Sequence, residues 1–138
     1  MHRSKHIIAA LLWVGSPALA DEPRPTLSVE LNAQTSTAAG CLLTFMVSNS
    51  HPQVIESAVF ETVLFDTDGQ VDRLTLFDFG SLPAGRPRVR QFQVDGLVCD
   101  DLGQVLINGA STCKVGGADS PLCSTLDLNT RTGTELIG

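Results

Sequence analysis

The chain has 138 residues, fifteen acidic against nine basic, for a net charge of −6. Such an acidic excess repels nucleic acid and anionic membrane surfaces, so neither is expected as a partner. The length suits one domain with a core of its own.

Met1 to His6 is a short basic start, and Ile7 to Val14 is an uncharged apolar run. Gly15-Ser16-Pro17 breaks that run, and Ala18-Leu19-Ala20 puts small residues before Asp21. This is the layout of a secretory signal peptide (residues 1–20) cleaved after Ala20. Eight apolar residues fall far short of the ~20 that span a bilayer, so no stable membrane insertion is expected. Cleavage leaves a domain of 118 residues, 21–138, with seven basic and fifteen acidic groups and a net charge of −8. It is expected to be periplasmic or secreted. It keeps one His (His51), one Met (Met46), one Lys (Lys114) and no Trp or Tyr. A His-rich metal site or a Met-lined copper site is excluded on those counts, and stacking platforms could use only Phe.

From Leu27 on, the pattern is that of β-strands. Leu27, Val29 and Leu31 alternate with Ser28 and Glu30, and Leu43, Phe45 and Val47 alternate with Thr44, Met46 and Ser48. Asn49-Ser50-His51-Pro52 ends the second strand with turn residues. Ala58 to Phe65 is almost continuously apolar and suits a central strand covered on both faces. Asp66-Thr67-Asp68-Gly69 reads as a hairpin turn into a strand from Val71 to Phe79, and Leu82-Pro83-Ala84-Gly85 turns the chain again. Further strands are expected at Val89–Val94, Val105–Asn108 and Leu126–Leu128, the last extensible to Ile137. About seven short strands and no helical stripe predict an all-β fold, a single immunoglobulin-like antiparallel β-sandwich.

Cys41, Cys99, Cys113 and Cys123 are an even set in an exported chain, which reads as two disulfides with three connectivities open. No C-x-x-C occurs, against a thioredoxin-like or zinc-knuckle role. In an immunoglobulin-like strand order Cys41 opens the second strand and Cys99 follows the fifth. Those strands neighbour one another, which favours Cys41–Cys99. Cys113–Cys123 then closes the loop around Gly116-Gly117.

Phe45-x-Val47-x-Asn49, Val63-Leu64-Phe65-Asp66-x-Asp68-Gly69, Leu82-Pro83-Ala84-Gly85 and Phe92-x-Val94 together resemble FxLYD-type domains, immunoglobulin-like modules of exported bacterial proteins. Thr62 and Phe65 stand where the name-giving Phe and Tyr would be. The resemblance covers Phe45 to Val94 and implies a fold and an extracytoplasmic setting, with no catalytic residues to carry over.

Candidate sites are few. Asp66, Asp68 and Asp72 could hold Ca²⁺, but Gly69 and Phe77 break the EF-hand spacing, and an Asp-x-Asp-Gly turn is the simpler reading. Arg86, Arg88 and Arg90 share one strand face and could grip an anion or a partner. They could instead pair with Asp72 or Asp78, or guard an edge strand. Phe92 and Val94 fall on the same face as these arginines. Either the arginines sit at the rim of the core-facing side, or a bulge near Gln91 resets the alternation. His51 is read as a surface-loop residue and not as part of a Ser-His-Asp triad. No cofactor and no catalytic residue is expected. The chain is expected to be a non-catalytic protein-binding or envelope accessory module, partnered by another envelope protein. The alternative is a small-anion or Ca²⁺-binding periplasmic protein.

Overall fold

The computed structural model describes His2, residues 7–16 and residues 24–138. The small residues Ala18-Leu19-Ala20 and their cleavage point lie outside the described residues. Ile7 to Val14 carries no helix or strand, its large apolar side chains are exposed, and no described helix is long and apolar enough to cross a membrane.

Nine strands are described: β1 (Leu27–Ser36), β2 (Gly40–Asn49), β3 (Ile55–Asp66), β4 (Val71–Leu82), β5 (Arg88–Asp95), β6 (Leu102–Val115), β7 (Ala118–Asp119), β8 (Leu126–Thr130) and β9 (Glu135–Ile137). They form two packed sheets. Sheet I has the order β5-β2-β1-β8, and sheet II has the order β4-β3-β6-β7 with β9 also on β6. All pairings among β1 to β7 are antiparallel, while β8 joins β1 and β9 joins β6 in parallel.

The alternation read from the sequence sorts residues between core and surface. Leu27, Val29 and Leu31 of β1 and Cys41, Leu43, Phe45 and Val47 of β2 are buried. They face Phe60 and Leu64 of β3 and Phe77 and Phe79 of β4 in one core cluster. Phe45, Phe60, Phe77, Phe79 and Phe92 interlock, mostly edge to face at 5.1–5.9 Å between ring centroids. Aromatic pairs in that geometry add about 0.5–1.5 kcal/mol each beyond the area they bury.

Two differences from the sequence reading have physical causes. The strand expected at Val105–Asn108 runs as β6 from Leu102 to Val115, because bulges at Asn108 and Ser111 absorb the break in alternation without ending the ladder with β3. The final segment is two strands. A turn at 131–134 carries the chain from sheet I to sheet II, fixed by the Thr130 and Thr132 hydroxyls accepting the Thr132 and Thr134 amides at 3.0 and 3.1 Å.

Cys41 is bonded to Cys99, 58 residues on, at the end of the β2–β5 pair. Cys113 of β6 is bonded to Cys123, in the 3₁₀ turn that leads towards β8. Gly40 lies so close to Val94 and Gly96 of the neighbouring segment that any side chain there would collide with backbone.

Candidate interaction surfaces

β5 pairs with β2 in unbroken register, Arg88 opposite Val47, Arg90 opposite Phe45, Phe92 opposite Leu43 and Val94 opposite Cys41. All four β2 partners are buried. Arg88 and Arg90 therefore stand on the core-facing side at the rim, and no bulge resets the strand. Arg90 spends its guanidinium on backbone. Nε donates to Phe79 O at 2.7 Å and Nη2 to Ser81 O at 2.9 Å, both on β4. Arg73 of β4 reciprocates, Nη1 donating to Asp95 O of β5 at 2.7 Å. Between them Phe77 and Phe92 stack at 4.3 Å. This closes the flank between the two edge strands.

The carboxylate pairings considered for the arginines are not formed. Asp72 is held by Arg73 at 2.7 Å, and Asp78 accepts the Gly80 amide at 2.8 Å. Among the described residues no carboxylate lies within ion-pair distance of Arg86, Arg88 or Arg90. Arg86 is exposed in the turn before β5, and Arg88 bonds only its neighbour's carbonyl, Pro87 O, at 3.0 Å. The sequence singled out the three arginines and missed Arg73, which sits beside its own acid and looks spoken for.

The acidic hairpin is a turn. Asp66 Oδ1 accepts the amides of Asp68 and Gln70, each at 2.9 Å, and Gly69 has φ 81°. No group of three acidic, His or Cys side chains among the described residues is arranged to hold a metal.

His51 is only 8% exposed, so the surface-loop reading is corrected. The cause is Asn49, itself buried. Its Nδ2 donates to Gln53 O at 2.9 Å and Leu82 O at 3.1 Å, and its Oδ1 accepts the His51 amide at 2.9 Å. The turn is thereby folded inward against the end of β4. His51 Nε2 is buried without a hydrogen-bond partner. A cleft of about 470 Å³ at the other end is lined by Gln34, Thr67, Asp100 and Thr134, with Gln34 Nε2 unpaired beside it.

The two outer sheet faces differ. On sheet I the register aligns Asn129, Glu30, Met46 and Val89 in one row and Thr44 with Gln91 in another. The polar side chains of that face satisfy one another, and Met46 and Val89 are its exposed large apolar residues. Glu30 accepts from Arg131 at 3.0 Å and Asn32 at 2.7 Å, and Gln91 donates to Thr44 at 3.1 Å. On sheet II Leu74 of β4, Val63 of β3, Leu106 of β6 and Ile137 of β9 stand side by side across four strands. Leu76 and Val71 flank this row on β4. Leu74 is 66% and Leu76 59% exposed, and Val63 is buried only by its neighbours on the face. The expectation that both faces of Ala58–Phe65 are covered fails on this side, because no described segment lies over it. The charges on this face are acidic. Glu61 is paired in register with Leu76, and Asp78 with Val59. Glu135 stands beside Gln104. Lys114 is tied to Asp119 at 2.6 Å.

No known family model matches the chain, and no curated protein matches it. Among solved structures it is similar to IrmA from Escherichia coli, with a TM-score of 0.62 and 15% identity, covering 76% of this chain and 92% of that one. At that identity the likeness shows the fold alone.

Proposed function

We propose that this β-sandwich is a non-catalytic module working outside the cytoplasm, where it binds another envelope protein through the outer face of sheet II. One observation carries the reading: a row of apolar side chains crosses four strands, and no described segment of the chain lies above it. Contiguous exposed apolar surface on a soluble domain marks a contact site. Two disulfides fit an oxidising compartment, and the leader-like start and the resemblance to FxLYD modules support the same setting.

The test is affinity capture from the native compartment by the oxidised protein and by a Leu74→Thr/Leu76→Thr variant. Threonine keeps strand preference while removing apolar surface. A protein retained by the parent and lost by the variant is expected, whereas equal retention removes this face from the reading. Intact mass of the exported protein checks the leader, with loss of residues 1–20 expected.

A second reading rests on Arg86 and Arg88, two cations with no acidic partner among the described residues. They would take a small anion. Calorimetry with sulfate and phosphate tests it, and heat unchanged by Arg86→Ser/Arg88→Ser removes it. Addition of EDTA tests the Ca²⁺ alternative at Asp66, Asp68 and Asp72, for which a shift in thermal unfolding is required.

A further inference from the structure

We infer that the occupant of the sheet II face is an extended segment of another protein, apolar at alternate positions and flanked by lysine or arginine, which adds as a strand along β4. This deepens the protein-binding reading above and rests on it.

Three observations select that occupant. The first is the edge. β4 has β3 on one side and no described strand on the other. Its ladder with β3 is regular from Arg73 to Asp78 and shifts register on both sides of that stretch. Beyond it, Phe79 O and Ser81 O are already taken by Arg90. Edge strands are commonly guarded by bulges and inward-pointing charges. Here those guards stand at the two ends, with Arg73 reaching in towards Asp95 at one and Arg90 sealing the other. The centre, Leu74-Thr75-Leu76, carries no such guard.

The second is the face beside that edge. A strand added to β4 sends alternate side chains to the outer face, beside Leu74 and Leu76. Apolar residues there would extend the Leu74–Val63–Leu106–Ile137 row by one more strand. A shallow depression of about 340 Å³ already lies between Glu61, Leu74, Thr75 and Leu76.

The third is charge. Glu61 and Asp78 lie on outward positions of β3 and β4, and among the described residues no unpaired cation shares the face. Lysine or arginine at the ends of the added strand meets these acids. A second copy of this chain does not. Antiparallel pairing about Thr75 opposes Asp72 of one copy to Asp78 of the other, and like charges facing one another across a ladder are destabilising. An anionic membrane surface is repelled for the same reason.

The experiment uses the oxidised protein as recovered after export and two synthetic peptides of roughly nine residues, a usual strand length. Both have an alternating Val-Thr centre. One carries lysines at each end and the other glutamates. Calorimetry is expected to show binding of the lysine peptide at least about tenfold tighter than the glutamate peptide, with the gap narrowing as salt is raised. Amide shifts should concentrate on β4. The Leu74→Thr/Leu76→Thr variant should bind the lysine peptide at least about tenfold more weakly while keeping a dispersed spectrum. Glu61→Lys/Asp78→Lys should invert the peptide preference while keeping a dispersed spectrum, which is checked because Asp78 also accepts the Gly80 amide. Equal binding of the two peptides, or binding that ignores Leu74 and Leu76, overturns the inference. So does a concentration-dependent dimer in sedimentation that the Leu74→Thr/Leu76→Thr change abolishes. If neither peptide binds while envelope capture still depends on Leu74 and Leu76, the strand chemistry is wrong and the protein-binding reading stands.

Discussion

The two flanks of the sandwich are closed by different means. On one, backbone does the closing. The chain leaves β8 on sheet I and enters β9 on sheet II, and Thr134 Oγ1 lies 3.1 Å from Leu102 O at the crossing. On the other, β4 and β5 never pair, and side chains bridge them through Arg73, Arg90 and the Phe77–Phe92 stack. Of the two disulfides, Cys41–Cys99 ties β2 to the turn after β5, and Cys113–Cys123 ties β6 to the turn before β8. A flank closed by backbone spreads its hold over many hydrogen bonds. One closed by side chains concentrates it in a few residues, each of which can be removed.

The largest effect expected on this contrast comes from the disulfides. Chain entropy assigns about 4 kcal/mol to a loop of the Cys41–Cys99 size and about 3 to the Cys113–Cys123 loop. Paired alanine replacements compared by urea unfolding should therefore cost more at Cys41–Cys99 than at Cys113–Cys123, and the reverse order would break the account. Next comes Phe92→Ala, which removes the stacking partner of Phe77 and contacts to Phe45 and Phe79. It should cost about 3 kcal/mol. Arg90→Met keeps the apolar stem but leaves two β4 carbonyls without a charged donor, and should cost about 1–2 kcal/mol. Arg131→Met on the other flank removes a solvent-exposed cation from a mostly buried Glu30 carboxylate that keeps Asn32 as a donor, and should cost about 0.5–1 kcal/mol. An Arg131 effect equal to that of Arg90 would erase the distinction between the flanks. Smallest of all, Leu74→Thr/Leu76→Thr should leave stability within about 0.5 kcal/mol, since these side chains lie outside the core.

Where burial follows from period alone, the sequence was readable. Leu27-Val29-Leu31 and Leu43-Phe45-Val47 alternate, and each odd residue is buried. The Asp66-x-Asp68-Gly69 turn was readable too, because its hydrogen bonds are local. What depends on distant partners was not. Asn49 and His51 read as loop residues, and only Leu82, 33 positions away from Asn49, turns them inward. The split of the last strand depends on Leu31 O accepting the Arg131 amide across 100 positions. The parity of Arg88, Arg90, Phe92 and Val94 was visible as a conflict. Its solution, a rim position facing β4 carbonyls, needs the second sheet. Of the Leu74 face only the β3 part was legible, as the apolar run Ala58–Phe65. Periodicity shows that such runs seek cover, and it does not show whether the cover belongs to the same chain.

The parallel pairing of β1 with β8 governs the order in which the molecule can be finished. Leu27 meets Leu126, and Leu31 meets Thr130, about a hundred positions apart. As the chain emerges in order, β1 and β2 can pair early, and Cys99 can reach Cys41 once β5 is out. β1 nonetheless keeps one bare edge until β8 arrives. Contacts of such long sequence separation close slowly, so the nascent domain spends its youth as an open sheet. Strand β1 is completed only by residues about a hundred positions further along the chain.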